Sequence, residues 1–296
     1  MSERYRVFVG RQAGRPILKI ILEGKVNMKN KKIGFIGCGA MSQAMIGGVL
    51  KSNLVLPNKI MASDIEEKNL DFAKKNYKIL VSTNNLEIAK FSDIIILAVI
   101  PNMYSAIIDE IKDSVKENVI IVTIAAGISL DFTQKAFNKN IKIVRTMPNT
   151  PVLVGEGMTA ICPNVLVNKE DLEIVLMIFD SFGKIEFIEE DLMNVIPAIS
   201  GSSPAYVYMF IEALADGGVL QGIPRDKAYK LAAQAVLGAS KMVLETGTHP
   251  AILKDYVCSP GGSTIEAVAK LEEKGFRSAI ISAMNSCTEK ITKMAK

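Results

Sequence analysis

The sequence predicts an α/β domain built on a parallel sheet, followed by an all-helical domain. Three observations carry this. Short apolar runs alternate with helical stretches from Ile33 to Ile188. The first run empties into a glycine loop, Gly37-Cys38-Gly39-Ala40-Met41-Ser42. Beyond Asp191, and fully from Ser203-Pro204, strand signals give way to long apolar helices rich in small residues. The pattern is that of an N-terminal Rossmann dinucleotide-binding domain at residues 28–190. An all-α C-terminal dimerisation domain is expected at residues 191–296.

Ile33 to Gly37 is the first strand. The loop after it reads G-x-G-x-x-G with Ser42 in the third place. The first two glycines make the turn and admit a pyrophosphate; the third needs only to be small. Gly37, Cys38, Gly39, Ala40 and Met41 are therefore candidate cofactor contacts. Lys59 to Ser63 is the second strand and ends at Asp64, where a carboxylate accepts from ribose hydroxyls and repels a 2′-phosphate. Asp64 equally suits capping a helix that starts near Glu66, and the two roles are compatible. The expected cofactor is NADPH or NADH, with Asp64 favouring NADH. Further strands are expected at Ile79 to Val81, Asp93 to Val99, Val119 to Ile124, Ile141 to Arg145, Met158 to Cys162 and Lys184 to Ile188. A helix is expected at Asp171 to Phe182. Pro101 stops the fourth strand at the edge where doubly wound sheets bind ligands, and Ala125-Ala126-Gly127 leaves room above the fifth. Strands alternating with helices imply a parallel sheet.

In the C-terminal third, helices are expected at Ala205 to Leu220, Arg225 to Leu244, a short one opened by Pro250, Thr264 to Lys274 and Phe276 to Met294. Apolar residues cover too much of the first two for one domain to bury, so they are expected to pack against a second subunit. Between the third and fourth helices, Asp255 to Thr264 reads D-Y-V-C-S-P-G-G-S-T. Pro260 breaks the helix before it, and Gly261 and Gly262 leave the backbone bare. Ser263 is expected to cap the next helix, with Glu266 at the capping-box spacing. An interhelical turn needs no more than this. The hydroxyls of Ser259, Ser263 and Thr264, with no charged side chain between them, add a second reading. With Pro260, Gly261 and Gly262 they form a candidate site for a small carboxylate, held by the unpaired N–H groups of a helix start.

Composition narrows the chemistry. The chain has one histidine, His249, which argues against a His-based triad and a multi-His metal site; no metal is expected. Cys38, Cys162, Cys258 and Cys287 lack disulfide or metal spacing, which fits free thiols in the cytoplasm. No apolar run suits a membrane span. Residues 1–27 carry six basic and two acidic side chains and so account for the whole net charge of +4. The rest is neutral and gives no electrostatic case for nucleic acid. Residues 1–27 read as a leader, a tag or an upstream start, because Met28 directly precedes K-N-K-K-I-G-F-I-G.

The motifs I-G-F-I-G-C-G-A-M from Ile33, R-T-M-P-N-T-P at Arg145 to Pro151 and S-G-S-S-P-A-Y at Ser200 to Tyr206 occur in that order. L-K-D-Y-V-C-S-P-G-G-S-T at Leu253 to Thr264 and G-F-R at Gly275 to Arg277 follow. From Lys31 to the C-terminus the chain resembles the pyrroline-5-carboxylate reductases of proline biosynthesis. The resemblance implies a Rossmann domain and a helical domain that interleaves with its partner in a homodimer, in some members built into larger rings such as a decamer. It implies NAD(P)H-dependent reduction of 1-pyrroline-5-carboxylate to proline. It puts the substrate carboxylate on the S-P-G-G-S-T turn and adds Asn85, Ala98, Val99, Ile100 and Pro101 to the cofactor contacts. Ile100 stands where the family usually has lysine, Ala40 where asparagine is frequent, and Ser203 where glycine is common.

The substrate implied is a cyclic imine bearing a carboxylate. Protonation of its nitrogen makes C5 an electrophile. Thr264 is the candidate catalytic residue, through a hydrogen bond to the ring nitrogen; a plain first-turn helix residue is the alternative. No side chain of the motif is a convincing general acid, and His249 is expected near the cap of the short helix. Two other readings stay open. A hydroxy-acid dehydrogenase would need a general acid/base near its carbonyl. A non-catalytic dinucleotide-binding protein would have no use for the hydroxyl-rich turn.

Overall fold

The computed structural model describes residues 27–295. Except for Asn27, the leader expected at residues 1–27 lies outside them. Asn27 opens a 3-10 turn, Met28–Asn30, by accepting from the Lys29 N–H at 3.1 Å. The chain divides into two compact units. One runs to Gly201 and takes in Thr288 onward; the other is Ser202–Cys287. No described helix is long and apolar enough to cross a membrane.

The eight expected strands all form, each within a residue or two of its expected bounds. They are β1 (Ile33–Ile36), β2 (Ile60–Ser63), β3 (Leu80–Ser82), β4 (Ile94–Leu97), β5 (Ile120–Thr123), β6 (Lys142–Met147), β7 (Gly157–Pro163) and β8 (Gly183–Phe187). Between them in sequence lie α1 (Ala40–Lys51), α2 (Glu67–Tyr77), α3 (Asn85–Phe91), α4 (Tyr104–Ile111), α5 (Leu130–Phe137) and α6 (Lys169–Asp180). The strands make one sheet in the order β3-β2-β1-β4-β5-β6-β7-β8. The order reverses between β1 and β4, which sets the ligand crevice at their C-terminal ends.

The centre of the sheet explains its apolar sequence. Ile94, Ile95, Ile96 and Leu97 are all fully buried. Successive side chains alternate between faces. Ile94 and Ile96 cluster with Met45, Ile46 and Val49 of α1 and Ile178 of α6. Ile95 and Leu97 cluster on the other face with Ile88 of α3, Ile108 of α4 and Phe137 of α5. Each buried side chain stabilises by about 1.5–3 kcal/mol, so a charge at any of the four disrupts the layer on its own face.

The sheet is not parallel throughout. β6 and β7 pair antiparallel, Met147 opposite Ala160, and the other pairs are parallel. The connection from Pro148 to Glu156 holds only a 3-10 turn, Thr150–Val154, and no crossover helix. A parallel return needs roughly a dozen residues or more, so the chain re-enters in the opposite direction.

The second unit is helical, as expected. It contains α7 (Ser203–Leu220), α8 (Arg225–Thr246), α9 (Pro250–Val257) and α10 (Ser263–Glu273), and most of α11 (Phe276–Met294). A π-helical turn, Pro197–Gly201, precedes it and has no signature in the sequence. Small residues let α7 and α8 approach. Ala215, Ala228 and Ala232 are buried, and a Cβ on Gly218 would lie 3.4 Å from Ala228 Cβ. The large side chains point elsewhere: Tyr208 is 61% exposed, Met209 69% and Leu244 82%. So much apolar surface on one chain marks a protein-contact face.

Candidate active site

The glycine loop is built by backbone geometry. Gly37 has φ +93°, and a Cβ there would meet Ala98 O at 2.5 Å. Only glycine satisfies both limits. Ser42, in the place of the third glycine, is buried and donates from Oγ to Gly37 O at 2.6 Å. It supplies the compactness the position needs and ties α1 to the loop. Gly39 is the N-cap of α1 and gives no side-chain cap, and a Cβ on it would meet nothing within 4 Å. No side chain caps the first-turn N–H groups of α1, which include Ala40 and Met41, and a helix start of this kind is a cradle suited to a phosphate.

Cys38 contributes through its backbone. Its N–H donates to Asp64 Oδ2 at 2.7 Å, and its side chain is buried. Burial, then the Asp64 charge, pushes the thiol up to about 11, so it is inert. Asp64 takes up the helix-start role expected of it. Its Oδ1 accepts from Glu66 N–H at 2.9 Å, at the start of α2, and Oδ2 also accepts from Asn69 Nδ2 at 3.3 Å. Three of about four acceptor sites on the carboxylate are used, which leaves one for a ribose hydroxyl. Ser63 is spent: it is buried and donates to Asn85 Oδ1 at 2.7 Å. Asn85 opens α3 behind its cap Asn84 and donates from Nδ2 to Glu110 Oε2 at 2.8 Å. Ala98 N–H donates to Ile36 O at 2.8 Å. That bond holds the Ala98-Val99-Ile100-Pro101 segment beside the loop, with Ile100 63% exposed.

The P-G-G turn lies in the second unit. Gly262 N–H donates to Ser259 O at 3.0 Å, Pro260 is second in the turn, and Gly261, third, has φ +68°. That is the residue pattern of a type II turn. The expected capping box at Ser263 and Glu266 does not form. The N-cap is Gly262, Ser263 is already helical, and no side chain caps α10. The turn consumes Ser259 to Gly262 and so moves the helix start back by one residue. Gly262 is extended, with φ −82° and ψ 167°. It is glycine because a Cβ would sit 2.5 Å from Ser259 Oγ. Ser263 and Thr264 are exposed, and among the described residues the hydroxyls of Ser259, Ser263 and Thr264 make no hydrogen bond within the chain. His249 caps α9, its Nδ1 accepting from Ala251 N–H at 3.2 Å.

The R-T-M-P-N-T-P motif is architectural. Arg145 is 4% exposed and donates to Glu190 Oε1 at 2.8 Å and Asn194 Oδ1 at 2.6 Å. Glu190 Oε1 also takes the Leu130 N–H at 2.9 Å. Asn149 donates to Ser200 O at 2.9 Å and accepts from Met158 N–H at 2.8 Å. These tasks leave no local signature in the sequence, because the partners lie far along the chain.

Residues 190–294 match a family model described as pyrroline-5-carboxylate reductase dimerisation, and residues 32–127 one described as NADP oxidoreductase, coenzyme F420-dependent. The pyrroline-5-carboxylate reductase of Escherichia coli (strain K12) is 50% identical over 266 residues, 90% of this chain and 99% of that protein. A solved pyrroline-5-carboxylate reductase from Coxiella burnetii is similar with a TM-score of 0.84 and 31% identity, over 90% of this chain and 100% of that one. The Plasmodium falciparum pyrroline carboxylate reductase, solved with NADP bound, gives a TM-score of 0.83 and 34% identity over 91% and 100%. An uncapped glycine loop, a hydroxyl-lined P-G-G turn and similarity along nine-tenths of the sequence converge: the chain belongs to the pyrroline-5-carboxylate reductase family.

Proposed function

We infer that the chain reduces 1-pyrroline-5-carboxylate to proline with a reduced nicotinamide dinucleotide, as a homodimer in the cytoplasm. The observation that carries the reading is the P-G-G turn with its uncapped helix start and three hydroxyls unpartnered among the described residues, in a chain 50% identical to a reductase of that name. The open first turn of α1 and the bare face of Gly39 fit a dinucleotide phosphate. Gly37, Gly39, Ala40 and Met41 would hold the pyrophosphate, and Asp64 a ribose hydroxyl. Asn85 and the Ala98 to Pro101 segment would line the remaining groove. The dinucleotide, when bound, supplies a hydride.

The chain's own residues do the rest. The N–H groups that open α10, with Ser259 and Ser263, bind the substrate carboxylate and so fix the ring. Thr264 accepts from or donates to the ring nitrogen and holds the imine in the orientation that exposes C5. Between Cys258 and Thr264 there is no carboxylate, imidazole or ammonium. The imine proton therefore comes from solvent, and orientation supplies most of the acceleration. The same absence disfavours a hydroxy-acid dehydrogenase, which needs a general acid/base there. With one acceptor site left on Asp64, NADH serves at least as well as NADPH. The dimer forms through the exposed apolar faces of α7 and α8, and larger rings are compatible with it.

Turnover assays with pyrroline-5-carboxylate and each reduced dinucleotide test the reading. Proline formed in step with dinucleotide oxidation is the expected result. Dinucleotide binding without turnover would leave a non-catalytic binder.

A further inference from the structure

The ladder between β4 and β5 ends in an unusual way. Ile120 N–H donates to Asp93 O at 3.0 Å, and the register pairs Leu97 with Thr123. In a parallel ladder the next bonds recur every second residue. Continued to the strand ends, the last rung would join Ile124 N–H to Leu97 O. Instead the Tyr104 hydroxyl occupies that place. It donates to Leu97 O at 2.6 Å and accepts from Ile124 N–H at 3.4 Å. Tyr104 opens α4 just after Pro101 and is fully buried. Burial pushes its hydroxyl well above the ordinary tyrosine range, so it stays protonated and keeps donating.

We propose that Tyr104 is a positioning residue for the nicotinamide half of the cofactor, a hydroxyl wedge that replaces the last rung and holds the ends of β4 and β5 apart. This rests on the reductase reading above. The half of the sheet with β1, the Gly37 loop and Asp64 takes the adenosine side, so the β4–β6 half takes the other nucleotide. The wedge lies where Ala98-Val99-Ile100 and Ala125-Ala126-Gly127 leave their strands. A closed rung would draw these two segments together and narrow the groove between them.

Tyr104→Phe keeps the ring and removes the wedge. Two probes read it: the intact reduced dinucleotide, and ADP, which lacks the nicotinamide. Calorimetry should show binding of the dinucleotide weakened by about three- to tenfold, ADP unchanged, and the KM for pyrroline-5-carboxylate unchanged. Equal loss for both probes, or none for either, would overturn the proposal. Wild-type turnover tests the activity by itself, so its failure is distinct from a loss confined to the variant. Should the variant not fold, hydrogen exchange in the wild-type protein gives a second measure. The Ile124 amide should be protected by the hydroxyl; exchange at the rate of an open loop would contradict the wedge.

Discussion

Gly262→Ala isolates what the P-G-G turn does. Gly262 is extended, so an alanine costs nothing in backbone strain there. Its new Cβ would lie 2.5 Å from Ser259 Oγ, 3.2 Å from Ser259 O and 3.7 Å from Ser259 Cβ. The carbonyl yields by a few tenths of an ångström, but the hydroxyl must rotate away. The turn and α10 therefore survive, and the Ser259 hydroxyl no longer reaches the substrate. A hydrogen bond to a carboxylate is worth about 1.5–3 kcal/mol, so the KM for pyrroline-5-carboxylate should rise roughly 10- to 150-fold. The kcat and the dinucleotide affinity should stay within about twofold of wild type, because neither depends on Ser259. Ser259→Ala should lose the same bond directly. On that background Gly262→Ala meets no hydroxyl, so the double variant should match Ser259→Ala within about 0.5 kcal/mol. Steady-state kinetics of the four proteins close the cycle. Additive losses would mean that the new methyl obstructs the ligand itself, and a wild-type KM in Gly262→Ala would remove Ser259 from the site.

Thr264→Ala should lower kcat by about fivefold, more than it raises KM, with helix content unchanged, because Thr264 is exposed and its hydroxyl makes no hydrogen bond among the described residues; wild-type kinetics would leave it a helix residue only. Asp64→Asn turns one acceptor into a donor that faces the Cys38 or Glu66 N–H. Both dinucleotides should bind more weakly, and the kcat/KM ratio should shift toward NADPH by about tenfold as the negative charge goes; an unchanged ratio would mean that the carboxylate does not read the ribose. Asp93 tests a pH dependence. Burial alone would raise its carboxyl, but the Lys116 hydrogen bond, the Lys32 N–H and the nearby lysine charges outweigh burial and lower it. A lowered folded value gives stability that is present above the unfolded carboxylate value and lost as pH falls through the folded one. Asp93→Asn should therefore cost about 1 kcal/mol in urea unfolding at neutral pH, a figure reduced for the partial exposure of the pair. The difference should shrink as the pH falls below the ordinary carboxylate range and vanish below the lowered folded value, and a constant cost across that range would assign it to packing.

The strands were legible because a central parallel strand is apolar on both faces, as Ile94 to Leu97 are. The direction of β7 was not, since it depends on the absence of a crossover helix in Pro148 to Glu156, a stretch whose prolines read as an ordinary loop. The position of Asp64 followed from the strand end. Its grip on the Cys38 N–H did not, because a hydrogen bond across 26 residues has no local signature. At the P-G-G turn the sequence offered a Ser263 cap, and the Ser259–Gly262 turn overrode it by placing Gly262 at the helix start. Tyr104 belongs with Ile108 and Ile111 on one buried helix face, which reads as plain core; only the ladder register reveals what its hydroxyl replaces.

The central claim is that the chain brings the C5 carbon of pyrroline-5-carboxylate to the nicotinamide C4 and passes a hydride between them. Supplying a dinucleotide dideuterated at that carbon, with unlabelled substrate in ordinary water, tests it most directly. Mass spectrometry of the proline should find one deuterium per molecule, fixed at C5. Proline without label, or no proline while the dinucleotide remains bound and reduced, would contradict the account.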